Sequence, residues 1–279
     1  MTMTVKARVH APLKQVHHAL TDAETLRVWL ASHVEVALPS RFEFWGRYTP
    51  EGDAPHQRLR WVDDTGLGFT WLLDGVETTT DIRLTAESDE TTIITLEQSH
   101  FDFNDVITGA SIRGVLQTYW YLSIGNLVDH LEGRALTPKV DFTSPEFRAT
   151  VEVAAPVGQV FTSLIDSDQA SEWFGYPIGI EPWVGGRFSM GGLDNNPSPA
   201  KILDLQPNAR LSVDWGPGGV GTWELEGSGG KTRLTLVQSG FDTAKPPYSA
   251  WTGILSGVAG LRRYHELPGQ PQIWLEPAA

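Results

Sequence analysis

The stretch that decides the fold is TRLTLVQSGFD, residues 232–242. An earlier segment, TIITLEQSHFD at residues 92–102, is identical to it at seven of eleven positions. So dense a match predicts that the chain contains two copies of one structural unit. Apolar and polar residues alternate through the stretch, which is typical of a β-strand with one apolar face. Ser-Gly-Phe-Asp then ends the strand, and a helical pattern follows in both copies.

The same order of elements is predicted around each copy. A first strand is followed by two short helices, several one-sided antiparallel strands and a long closing helix. Residues 147–174 match residues 3–30 at an offset of 144. We therefore expect an α+β protein with domains at residues 1–133 and 147–266, a linker at 134–146 and a proline-rich tail at 267–279.

Charge and composition limit the classes of function. The formal net charge is −13, and the 21 basic residues form no stripe, so nucleic acid and membranes are poor candidates as partners. The chain has no cysteine, which excludes disulfides and thiolate chemistry. Neither an apolar leader nor a spanning segment is recognisable, so a cytoplasmic protein is expected. No metal-binding or cofactor-binding motif is found, and we predict neither a metal nor a cofactor.

These segments resemble the START-like (SRPBCC) superfamily, and within it the branch named for the activator of heat-shock-protein ATPase. The resemblance is carried by APVGQVFTSLIDSDQASEWF (155–174), VGGRF (184–188), KILDLQPNARLSVDW (201–215) and the opening stretch. The second copy fits over nearly its whole length, whereas the first diverges, with Pro39-Ser40 in place of the paired glycines. The resemblance implies two tandem helix-grip domains. In each, a curved antiparallel sheet wraps around the long C-terminal helix and encloses a cavity for an apolar molecule.

Aromatic residues supply the candidate lining of these cavities. The chain has 11 tryptophans and 11 phenylalanines, which suit either a filled core or a pocket for a flat aromatic or polycyclic ligand. The candidates in the first copy are Trp29, Phe42, Phe44, Trp61, Phe69, Trp71 and Trp120. Those in the second copy are Trp173, Phe188, Trp215, Trp223 and Trp251.

A few polar residues are predicted on the same inward faces. Alternation places Gln57 and Gln98 there in the first copy, and Lys201 and Gln238 in the second. A buried amide must be hydrogen-bonded, so Gln98 and Gln238 either hold the adjacent loop or helix in place or orient a ligand. Glycines at 253, 257 and 260 of the second closing helix indicate either close packing or room for a ligand.

Three classes of function remain open. The first is binding of an apolar small molecule, the second is polyketide aromatase/cyclase-type chemistry without a metal, and the third is a co-chaperone-like interaction module. His33 and His100 have no counterpart in the second copy and are the candidate acid or base of an enzyme. These histidines and the additional aromatics predict that the first copy carries any specialised function. The two copies are expected to pack as a pseudo-dimer.

Overall fold

The computed structural model describes residues 1–267, 269 and 272–276, except for the side chains of residues 103, 107 and 108. The remaining positions of the predicted tail lie outside the described residues. The chain divides into two compact units. The first unit comprises residues 1–143, 251–256 and 270–279, and the second comprises residues 144–250 and 257–269.

The first unit is built on an antiparallel six-stranded sheet with the strand order β15-β1-β7-β6-β5-β4, beside a two-stranded sheet of β2 and β3. Its strands are β1 (Met3–Val9), β2 (His33–Ala37), β3 (Arg41–Trp45), β4 (Gln57–Asp63), β5 (Gly66–Leu73), β6 (Val76–Ser88), β7 (Thr91–Gln98) and β15 (Ile273–Glu276). Its helices are α1 (Leu13–Thr21), α2 (Ala23–Trp29), α3 (Phe103–Thr108) and α4 (Leu116–Leu131).

The second unit repeats this plan with one continuous sheet of seven strands, ordered β8-β14-β13-β12-β11-β10-β9. Its strands are β8 (Phe147–Val153), β9 (Ile178–Ile180), β10 (Arg187–Met190), β11 (Ala200–Gln206), β12 (Arg210–Asp214), β13 (Val220–Ser228) and β14 (Lys231–Ser239). Its first helices are α5 (Val157–Ile165) and α6 (Ser167–Phe174), and the closing helix of this copy is α7 (Tyr248–Glu266), of which residues 251–256 are grouped with the first unit.

Local sequence explains why both units begin in the same way. In β1 and β8 every second residue is buried, as the alternation predicts. Asp22 and Asp166 each cap the next helix by accepting a backbone hydrogen bond, from Thr25 and Gln169 respectively. Trp29 donates its indole N–H to the Ala19 carbonyl at 3.0 Å, and the equivalent Trp173 donates to Ser163 at 2.8 Å. The same helix pair is therefore locked in place twice.

The structure adds three features that the sequence pattern does not indicate. Strands β2 and β9 are absent from the predicted elements. In the closing segment of the first copy, the separate helix α3, which ends before Gly109 with φ of 63°, and a short 3₁₀ turn precede α4. Residues 273–276 of the tail form β15, which pairs antiparallel with β1.

The glycines of α7 have unequal surroundings. A Cβ added at Gly260 would lie 2.4 Å from the Trp173 carbonyl oxygen, and one at Gly257 would lie 3.1 Å from the Phe174 ring. A Cβ at Gly253 would meet no atom within 4 Å. Close packing is therefore the reason for Gly257 and Gly260.

This contrast gives a matched pair of substitutions. Gly260→Ala should lower the free energy of unfolding by about 1–3 kcal/mol, because backbone must move to admit the methyl group. Gly253→Ala should stabilise α7 by up to about 1 kcal/mol, because alanine has the higher helix propensity. Urea unfolding followed by circular dichroism measures both. Equal effects of the two substitutions would contradict this account of the packing.

Candidate functional site

The inner face of the first unit is filled with aromatic rings. Phe44 packs edge-on against Phe69 and Trp71, with ring centroids 5.7 and 5.2 Å apart. Trp120 of α4 closes over the set at 5.9 Å from Trp71. Six of the predicted lining residues are buried with at most 3% of their surface exposed: Trp29, Phe42, Phe44, Phe69, Trp71 and Trp120. These side chains form a packed core.

Both glutamines that the sequence places on the inward face of this unit complete the core with hydrogen bonds. The Gln98 Oε1 accepts from the Thr80 hydroxyl at 2.7 Å and from the Trp120 indole at 3.0 Å. Its Nε2 donates to the Ser99 carbonyl at 3.0 Å. Gln57 Oε1 accepts from the Phe44 backbone N–H at 3.1 Å. Gln98 thus ties β6, β7 and α4 together, which favours the structural alternative for this residue.

A small gap beside this core is bordered by one lysine and two tyrosines of the first unit. It has a volume of about 10 Å³ and is bordered by Tyr119 and Lys139, among other residues. Burial raises the pKa of the Tyr119 phenol, which keeps it neutral. Burial, assisted by Arg47, lowers the pKa of Lys139 to about 8, and its Nζ donates to the Val28 carbonyl at 2.9 Å. A gap of this size holds about one water molecule.

Strand register shows which residues of the second unit replace the aromatic layer. Phe69 and Gln98 both pair with Thr80, whereas Val213 and Gln238 both pair with Gly221. Val213 therefore occupies the position of Phe69, and Gly221 that of Thr80.

The adjoining hairpin shows a similar replacement. Val34 and Ile178 each lie five residues after the tryptophan of the preceding helix. Val34 pairs with Phe44, and Ile178 pairs with Met190. Met190, which is 41% exposed, therefore has the register position of the buried Phe44. The second unit has lost two rings and one hydroxyl from its inner face.

Four of the predicted lining rings of the second unit are only half-buried. Phe188 and Trp215 keep an edge-on contact at 5.4 Å, but both retain exposed surface. Trp173 and Trp223 are also half-buried. Of the predicted aromatic residues in the second copy, Trp251 alone is closed off, at 1% exposure. In this unit part of the aromatic surface on the inner sheet face is exposed to solvent, whereas in the first unit packing buries it.

Gln238 lies at the inner end of this face and is not satisfied as Gln98 is. Its Nε2 donates to the Gly218 carbonyl oxygen. Its Oε1 is buried and has no hydrogen-bond partner among the described residues. A buried acceptor left without a donor costs about 1–3 kcal/mol.

Two of the predicted lining residues, Trp61 and Lys201, do not point inward, so these two predictions are wrong. A β-bulge explains the position of Trp61, and another bulge lies close to Lys201. A bulge between Leu59 and Trp61 shifts the register, so Trp61 lies on the outer face, where its indole donates to Asp81 and Arg83 stacks at 3.7 Å from its ring. In β11, Ile202 takes the inward position and is buried, so its neighbour Lys201 is exposed. A second bulge follows between Ile202 and Asp204.

The two candidate histidines lie on the surface of the first unit. His33 is the first residue of β2, where it stacks on Trp45 with ring centroids 5.6 Å apart. His100 is exposed and has a left-handed backbone with φ of 56°. A catalytic role for either stays a prediction. Arg41 and Arg187, which precede inward-facing phenylalanines, point outward and form ion pairs with Glu35 and Glu181.

Met190, Val213 and Gly221 were missed as site residues. They are identified by comparing the strand pairings of the two units, which shows where the second copy has a smaller side chain. Sequence alignment alone is misleading here, because the paired residues Val34 and Phe44 are ten positions apart, whereas Ile178 and Met190 are twelve positions apart.

Two helix-grip domains in tandem define the class of the protein. The chain belongs to the family described as activator of Hsp90 ATPase homolog 1-like protein, whose model matches residues 10–132 and 154–261. The resemblance drawn from the sequence is thereby confirmed, as is the fold. A search of curated proteins finds no match.

Several solved structures are similar to this chain. A conserved protein of unknown function from Enterococcus faecalis is 22% identical, with 46% of this chain and 74% of that chain covered and a TM-score of 0.39. DynU16, a protein in the dynemicin biosynthetic locus, is 20% identical, with 94% and 99% covered and a TM-score of 0.39. The di-domain ARO/CYC BexL from the BE-7585A biosynthetic pathway is 15% identical, with 97% and 100% covered and a TM-score of 0.34. Within the described residues, no helix is long and apolar enough to cross a membrane.

Proposed function

We propose that the second unit binds a flat, apolar, aromatic small molecule on the inner face of its sheet. The observation that carries this proposal is the half-buried pair of Phe188 and Trp215, whereas Phe42, Phe44 and Trp71 of the first unit are at most 3% exposed. Apolar rings with a few convergent polar groups are the usual lining of a small-molecule site. A ligand lying on these rings would supply the ring surface that Phe44 and Phe69 supply in the first unit.

This assignment places binding in the opposite copy from the one favoured by the sequence. The first copy has more inward aromatics, but their number fills its interior. The second copy is better suited because Val213 and Met190 are smaller and less ring-like than their counterparts.

Binding has more support than proton-transfer chemistry on this face. Lys201 is the one ionisable residue that strand alternation places on the inward face of the second copy, and it is exposed. A general acid or base must reach the reacting atom within hydrogen-bond distance. We therefore place the cyclase alternative behind ligand binding.

A second candidate function is an interaction module, and exposed apolar side chains favour it. Trp183 and Val184, in the turn between β9 and β10, are 55% and 62% exposed, and Leu203 on β11 is 48% exposed. The turn and β11 are joined by a hydrogen bond from the Gly185 N–H to the Ile202 carbonyl at 2.8 Å. Exposed apolar patches often mark protein contacts.

Equilibrium dialysis against naphthalene derivatives tests the binding proposal. The wild-type chain should bind at least one derivative saturably, and Trp215→Ala should weaken that binding at least tenfold, because it removes the central ring. Trp183→Ala is the matched control, since it removes an exposed tryptophan of the same unit, and it should leave the affinity unchanged. Absence of saturable binding, or equal loss in both variants, would contradict the proposal.

A further inference from the structure

The amide of Gln238 is fixed in one orientation by its neighbour. Its Nε2 donates to the Gly218 backbone carbonyl, which can only accept. Reversing the amide would place two acceptors against each other, so the orientation follows from chemistry. The Oε1 therefore points away from Gly218, in a side chain that is 5% exposed, with no donor supplied by the described residues.

The first unit shows what this acceptor lacks. There the equivalent Gln98 Oε1 receives hydrogen bonds from Thr80 and Trp120. In the second unit, the position of Thr80 is taken by Gly221, which has no hydroxyl to offer. The second unit thus keeps the glutamine acceptor but lacks the hydroxyl donor that Thr80 supplies in the first. Buried polar atoms are nearly always paired in folded proteins, so this oxygen needs an external donor.

The surroundings of Gly221 connect this oxygen to the aromatic face. A Cβ built on Gly221 would lie 3.2 Å from the Trp215 indole nitrogen and 3.3 Å from the Trp223 ring. Gly221 is the pairing partner of Gln238, so the amide stands beside the two half-buried indoles. A flat ligand on these rings would bring its edge toward the free oxygen.

We propose that Gln238 Oε1 accepts a hydrogen bond from a hydroxyl or N–H group at the edge of the bound aromatic molecule. This inference rests on the proposed binding function and narrows its ligands to aromatic compounds that carry a donor, such as phenols. A compound in which that donor is methylated loses the hydrogen bond and leaves the acceptor buried without a partner. Sites built around a hydrogen bond reject such analogues strongly.

A comparison of 2-naphthol with 2-methoxynaphthalene tests this inference. Equilibrium dialysis should show that the wild-type chain binds 2-naphthol at least tenfold more tightly, although the methoxy compound is the more apolar. Gln238→Leu removes the acceptor and should abolish the preference. Gln206→Leu, at an exposed glutamine of the same unit, should preserve it.

The outcomes separate the inference from the function beneath it. Equal binding of both compounds by the wild-type chain would overturn the role of Gln238 and leave the binding site in place. A preference that survives in Gln238→Leu would overturn it as well. No saturable binding of either compound would count against both proposals. The wild-type comparison decides the matter even if the leucine variant does not fold.

Discussion

Trp71→Ala should destabilise the first unit by about 3–5 kcal/mol, the usual cost of deleting a buried tryptophan. The Trp71 ring is completely buried and contacts the rings of Phe44, Tyr119 and Trp120 at centroid distances of 5.2–5.9 Å. Neighbouring strands and α4 hold these rings in place, so the structure cannot collapse to fill the space. A loss of this size is a large part of the stability of a typical domain.

Trp215→Ala, at the equivalent position of the second unit, is the control for this prediction. Its ring is half-buried and has one ring contact, to Phe188, among the described residues. We expect a loss of about 1–2 kcal/mol, because less surface is removed from water in the folded state. Guanidinium unfolding measures both variants. Equal destabilisation would mean that the two inner faces are packed alike, and the proposed site would lose its basis.

The sequence predicts the fold well because the fold depends on periodicity. Two copies of an eleven-residue stretch, with residues that alternate before a helix, are sufficient for a tandem α+β architecture. The inward direction of Phe42, Phe69 and Gln98 is predicted by the same alternation, and all three side chains are buried. Side-chain direction in a regular strand requires no knowledge of distant residues.

Bulges are where this reasoning fails. The extra residue Arg60 moves the Trp61 side chain to the other face of the sheet. No residue type in that strand indicates the bulge. The short strands β2 and β9 are similarly hidden, because each is defined by its pairing with the next strand rather than by its own pattern. Strand β15 pairs with β1 across nearly the whole length of the chain.

The number of aromatic residues does not predict whether the inner face of each sheet is exposed or filled. Both copies have many inward rings, and the difference lies in whether the rings fit together. Phe44 and Phe69 close the first interior, and their replacement by Met190 and Val213 leaves the second incomplete. This depends on register, which the sequence shows only after the strands have been paired.

Strand β15 should be important for the stability of the first unit, because it makes β1 an interior strand of the first sheet. Ile273 is 3% exposed, and Glu276 forms an ion pair with Lys6 at 2.6 Å. The Arg8 backbone N–H donates to the Gln272 carbonyl at 2.8 Å. Without β15, one edge of β1 would present unpaired backbone groups.

Ile273→Ala should therefore lower the free energy of unfolding of the first unit by about 2–5 kcal/mol, the range for truncating a buried isoleucine. A chain ending at residue 267 should lose at least as much, because it also loses the backbone hydrogen bonds of β15. Leu275→Ala is the control: this side chain is 40% exposed, and its removal should cost roughly 0.5 kcal/mol or less.

Hydrogen exchange locates the effect within the sheet. In the truncated chain the Arg8 amide should exchange much faster, because its acceptor, the Gln272 carbonyl, is gone. Amides of β14, in the second unit, should keep their protection and serve as the internal reference. If the Arg8 amide stayed protected after truncation, β15 would not be a structural strand of the first sheet. Its buried isoleucine would then need another explanation.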